Sequence, residues 1–128
     1  MTARHHLVRQ LIGRFSHLTH ALAFALSKTA SRGLKKRDFA MAGPSYWGNT
    51  RIAASDAGLW ADIFTYNRKV LVAEIDIAIT ALRKLKALRG AALKKELAQI
   101  SKAARRARAG AGYHRPAGTA PPVARARP

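Results

Sequence analysis

Apolar residues recur every three or four positions through Leu7, Leu11, Phe15, Leu18, Leu22 and Leu26. That is the period of one helix face, so the stretch from Thr2 to about Ser31 is expected to form one long amphipathic helix. Gly13, in its middle, costs such a helix about 1 kcal/mol relative to alanine. A second series runs through Leu59, Ile63, Asn67, Val70, Leu71, Glu74, Ile75, Ala78, Leu82 and Leu85, near one stripe, and predicts a helix from Ser55 to about Leu88. At 1.5 Å per residue it would be ~45 Å long, more than a small compact domain needs. The two apolar stripes require a covering surface, and a second copy of the chain is the expected one, giving a homodimer through the long helices. Gly90 separates a last helix, Ala91 to about Arg108, with Leu93, Leu97 and Ile100 at helical spacing.

The connections carry turn signals. Ser31 to Arg37, SRGLKKR, reads as a loop or a helix end. Asp38 to Met41 is a short helical or extended piece, and Gly43, Pro44, Ser45, Gly48 and Asn49 mark an irregular loop around Tyr46 and Trp47. Positions 109–128, rich in Gly, Pro, Ala and Arg, offer too little apolar surface to offset ordering entropy and are expected to be a disordered basic tail. The predicted fold is therefore an all-α, long-helix bundle over residues 1–108 that dimerises, followed by that tail. No internal repeat is present.

Charge changes this picture less than its size suggests. A formal net charge of +18, from 24 Lys and Arg against six acids, points first to an anionic partner such as nucleic acid. From Ser101 onward there is no acid, so much of that charge sits on the end of the last helix and the tail. The helices carry no recognised nucleic-acid motif, which ranks nucleic acid behind the readings below. The absence of cysteine excludes disulfides, thiol nucleophiles and sulfur-ligated zinc. No apolar run approaches the ~20 residues of a membrane span, and a cytoplasmic location is expected. The first 37 residues contain no acid and invite a transit-peptide reading. Their apolar patterning argues against it.

Two places could carry chemistry. Arg51 lies in a loop just ahead of a helix start signalled by Ser55 and Asp56, both strong N-cap types. A guanidinium beside that positive end could hold a carboxylate with two parallel hydrogen bonds. On spacing alone the ordinary role is favoured, in which Arg51 pairs with Asp56 or caps a neighbouring helix. His17 and His20 share one helix face with Ser16 beside them. They could ligate a metal, though no third ligand is evident; they could be buried and hydrogen-bonded, or line a polar pocket.

Taken together, Ser16-His17-Leu18-Thr19-His20 followed by ALAFAL, then AGPSYWGNTRIAASDAGLW, then DIFTYNRKVL, resemble the C-terminal helical domain of prephenate dehydrogenases, in order and spacing, from about His5 to about Arg108. Arogenate dehydrogenases are close relatives. The resemblance implies NAD- or NADP-dependent oxidative decarboxylation of prephenate in tyrosine synthesis. In that family this domain supplies the dimer interface and part of the substrate pocket, while a separate nucleotide-binding domain holds the cofactor and the catalytic histidine. It further implies that Arg51 clamps a substrate carboxylate, that Ser16, His17 and His20 face the pocket, that Trp60 matches the aromatic following the arginine motif, that Gly43 falls in a loop closing on substrate, and that Asn67 matches an asparagine usual in the following helix.

Three departures stand out. Thr19 replaces the family's usual proline, and YWGN replaces an aromatic, a basic residue and an acid. The chain also has no glycine-rich strand-to-helix phosphate loop. It is expected to lack the nucleotide-binding domain, to bind no cofactor or metal, to contain no catalytic residue and to be inactive alone, as a truncated piece or one half of a split enzyme whose partner would be a separate nucleotide-binding domain, with prephenate or arogenate as ligand. A non-catalytic ligand-sensing dimer and a basic nucleic-acid-binding protein are the alternative readings.

Overall fold

In the computed structural model, residues 1–113 are described; positions 114–128, most of the expected tail, lie outside the described residues. Those described are helical without a strand, as the apolar spacing predicts. The chain divides into two compact units, one up to Arg83 and one from Lys84 on.

The expected first helix is two helices joined by a wider turn. Helix α1 spans Ala3–Ile12, with Thr2 capping it through a hydrogen bond from the His5 backbone amide. Gly13–His17 then form a π-helical turn, closed by the Leu18 amide on the Gly13 carbonyl, before α2 continues over Leu18–Ser31. Gly13 opens this turn against Val70: a Cβ there would stand 2.4 Å from Val70 Cγ1, so the backbone comes closer than any other residue would permit. Thr19, in place of proline, stays helical with its hydroxyl donating to the Phe15 carbonyl at 2.9 Å.

After a 3₁₀ segment at Lys36–Met41 comes a correction. The stretch expected as an irregular loop around Tyr46 and Trp47 is a helix, α3, over Pro44–Thr50. Pro44 and Gly43 are not breakers here but the start signal, since proline at the first helical position lacks only an amide that has no helical partner anyway. Phe39, Tyr46 and Trp47 pack as an aromatic cluster with centroids 5.1–6.5 Å apart. A second 3₁₀ turn, Arg51–Ala53, follows, and both it and α3 pack on α2.

The expected 30-residue helix is also divided. Helix α4 covers Ala57–Tyr66 and α5 covers Arg68–Ala87, with Asn67 between them at φ −109° and ψ 29°. Asp56 alone caps α4, accepting the Leu59 amide at 2.7 Å, while the Ser55 hydroxyl turns back to the Ile52 carbonyl. The apolar spacing continues through the break because Asn67 keeps its place on the stripe, buried at 4% exposure, as a polar residue.

Apolar burial is sparse. Among the described residues, Ala23 and Leu71 are the buried hydrophobics and no large side chain is fully buried. Leu11, Leu22, Leu59, Ile77 and Leu82 are among the large apolar side chains left exposed. In the second unit, α6 spans Gly90–Gly110 after a turn in which Gly90 takes φ +53°, and Lys84 pairs with Glu96 at 3.0 Å.

Candidate functional site

The break at Asn67 and the π turn at Gly13–His17 meet. The Asn67 side-chain amide donates to the Arg9 carbonyl at 3.1 Å and to His17 Nδ1 at 3.3 Å. Because Nδ1 accepts, the proton of the neutral imidazole rests on Nε2. His17 is 8% exposed, and burial, followed by the neighbouring His20, holds its pKa below the usual 6.5. Arg9 reinforces the junction: its Nη2 donates to the Tyr66 carbonyl at 3.1 Å and its guanidinium lies 5.1 Å from the centre of the Tyr66 ring. Within the π turn itself, Arg14 Nε pairs with the buried Glu74 at 2.9 Å, tying the turn to α5.

One helical turn on, His20 faces α4. Its ring stacks on Trp60 with centroids 3.4 Å apart and an 18° angle, while His17 meets the same indole edge-on at 6.3 Å. Nδ1 of His20 donates to the Ser16 carbonyl at 2.9 Å, leaving Nε2 as the acceptor of the neutral ring. Phe24 and Phe64 extend this contact between α2 and α4 at 6.2 Å. A groove of about 420 Å³ opens beside His17, walled by Ile12, Asp62, Ile63 and Tyr66. Its wall is largely apolar with a few polar groups, the usual constitution of a small-molecule site.

His17, His20 and Trp60 are thus brought into contact, with Ser16 entering through its backbone. The other two expected residues lie elsewhere. Arg51 is exposed at the start of the 3₁₀ turn that packs on α2, and it does not line the groove at His17. Of the two ordinary roles for Arg51, pairing with Asp56 is not observed, since no ion pair among the described residues involves it. Gly43 lines a separate cleft of about 330 Å³ with Leu34, Phe39 and Tyr46.

Comparison with known proteins decides the family. Residues 3–103 match the family described as prephenate dehydrogenase, dimerization domain. The chain belongs to the prephenate dehydrogenase family. A cyclohexadienyl dehydrogenase from Zymomonas mobilis is 33% identical over 90 residues, which is 67% of this chain and 30% of that protein. A crystal structure from Corynebacterium glutamicum, provisionally assigned as a prephenate dehydrogenase, superposes with a TM-score of 0.72 at 26% identity, covering 81% of this chain and 33% of that one. The chain spans about a third of the length of these relatives.

A dehydrogenase of this family implies NAD or NADP for the complete enzyme. The described residues do not fit a dinucleotide site of the strand, glycine-rich turn and helix kind, since they contain no strand. Among the described residues there is also no group of three or more His, Cys, Asp or Glu that could hold a metal, and the Nδ1 atoms of both histidines are engaged within the protein. Arg9, Arg14 and Glu74, which fix the π turn, carry no signal in the sequence, because their partners lie 57 and 60 positions away.

Proposed function

We propose that this chain is the dimerisation and substrate-binding part of a prephenate dehydrogenase, acting with a nucleotide-binding domain that supplies NAD or NADP and the catalytic histidine for oxidative decarboxylation of prephenate to 4-hydroxyphenylpyruvate. The observation that carries the reading is the junction of His17, His20, Trp60 and Asn67. A chain with so little apolar core nevertheless holds a buried, neutral histidine in a set tautomer against an open groove. Such preorganisation of polar groups suits a site that must orient a substrate for another domain's chemistry.

In this reading Arg51 anchors a carboxylate of prephenate or arogenate, Ser16, His17 and His20 present polar groups to the ligand, Trp60 holds His20 in place, and Gly43 lies on the segment that closes over the site. Asp62 in the groove beside His17 disfavours a carboxylate there, which supports assigning the anion to Arg51 instead. A homodimer is supported by the exposed apolar side chains of α1, α2 and α5, which a second copy would cover, and by a family domain described as a dimerization domain.

The test is turnover. Chain, prephenate and NAD or NADP together give no reduced cofactor, and activity appears when the cognate nucleotide-binding domain is added. Turnover by the chain alone, or none after that addition, contradicts the reading.

A further inference from the structure

Helix α6 carries two opposed faces. At 100° per residue, Leu93, Leu97 and Ile100 fall on one side, while Lys94, Lys95, Lys102, Arg105 and Arg106 gather within about 120° on the other. All five cations are exposed and none is in an ion pair among the described residues. The one acid of the helix, Glu96, lies off this face and is occupied by Lys84 at 3.0 Å. Between the cations stands Ala98, too small to hold a flat surface away. Arg105 and Arg106 lie beyond the family match, which ends at 103.

We propose that this face is a binding surface for duplex DNA, read through its phosphates and without sequence preference. From Lys94 to Arg106 the row is roughly 18 Å long at 1.5 Å per residue, and duplex DNA offers about one phosphate charge per 1.7 Å of axis. The B-form major groove admits an α-helix whereas the deep, narrow groove of duplex RNA does not, which favours DNA. The face has no aromatic residue to stack unpaired bases, which argues against a single strand. An anionic membrane fits less well, because a helix lying in a bilayer surface buries a broad apolar face rich in Trp, Phe and Leu, and α6 has three large aliphatics on its opposite side. The surface belongs to the second unit and does not depend on the reading of the site at His17.

The test titrates the full chain against a labelled 20-base-pair DNA of mixed sequence by fluorescence anisotropy, from 50 to 200 mM KCl. Neutralising five phosphates predicts a slope of log affinity on log salt of about −4.5, a loss of roughly 500-fold over that range. A variant with Lys94→Gln, Lys95→Gln, Lys102→Gln, Arg105→Gln and Arg106→Gln, which keeps good helix formers, loses most of the slope. Lys35→Gln, Lys36→Gln and Arg37→Gln together, on the other unit, change affinity less than twofold. Circular dichroism of both variants verifies that helix content is kept. The proposal is overturned by no binding at 50 mM KCl, by equal losses in the two variants, or by vesicles of one-third phosphatidylglycerol displacing the DNA completely.

Discussion

Asn67 Nδ2 reaches His17 Nδ1 across 3.3 Å, joining the point where the α4–α5 helix divides to the end of the π turn fifty positions earlier. The same amide nitrogen also serves the part-buried Arg9 carbonyl, so one side chain bridges to α1 and fixes a buried imidazole. Asn67→Ala leaves His17 Nδ1 without a donor and the Arg9 carbonyl with only its helical bond from the Gly13 amide. The expected cost is about 1–3 kcal/mol in urea denaturation. Long-range nitrogen–proton NMR spectra should show His17 protonated on Nε2 in the wild type and as a mixture of tautomers in the variant. A variant as stable as wild type with the same His17 tautomer would remove Asn67 from this role.

The lowered pKa of His17 makes stability depend on pH in a defined sense. Below the usual 6.5 the unfolded chain takes up the proton while the folded one resists it, so folding is opposed as the medium becomes more acidic. The contribution of His17 is complete above about pH 6.5 and declines as pH falls towards its folded value. The pH dependence of the denaturation midpoint, with His17→Gln as the control, measures this. A wild-type profile parallel to that of the variant between pH 7.5 and 5 would contradict the assignment.

Gly13 is held against Val70 by space rather than by backbone freedom, because its φ lies in the helical region. Gly13→Ala should therefore destabilise by about 1–3 kcal/mol, despite alanine's better helix propensity. Combining it with Val70→Ala, which removes the opposing methyls, should cost less than the two single changes together by roughly 1 kcal/mol. Additive costs in denaturant melts would show that the contact does not limit the approach.

The helical class, Asp56 as the start of α4, and α6 were legible from spacing and cap residues, since these depend on neighbours within a turn or two. The break at Asn67 was not, because the apolar stripe runs through it unaltered and the residue's buried partners belong to α1 and the π turn. Around Tyr46 and Trp47 the sequence points to a loop, since Gly43, Pro44 and Gly48 are breakers in most settings, whereas Pro44 here opens a helix. The SHLTH segment signalled a shared helix face for His17 and His20, and the structure adds what spacing could not: Trp60 beneath one ring and Asn67 against the other.

Large apolar side chains remain exposed along α5, with Ile77 and Leu82 at 60% and 59%. Sedimentation equilibrium should give twice the 13.9 kDa of one chain at micromolar concentration. Ile79→Glu with Leu82→Glu, three positions apart and so on one exposed face of α5, should weaken association at least tenfold. A monomeric wild type would mean that a different partner covers these residues.

The most direct measurement is calorimetric titration of prephenate into the full chain and into Arg51→Ala. The account predicts saturable binding of one prephenate per chain, down to millimolar affinity, about −4 kcal/mol, and its loss in the variant while helix content and dimer mass stay unchanged. Binding of equal strength to both proteins, or no heat with the wild type at millimolar prephenate, would contradict the assignment of this chain as the carboxylate-holding half of the enzyme.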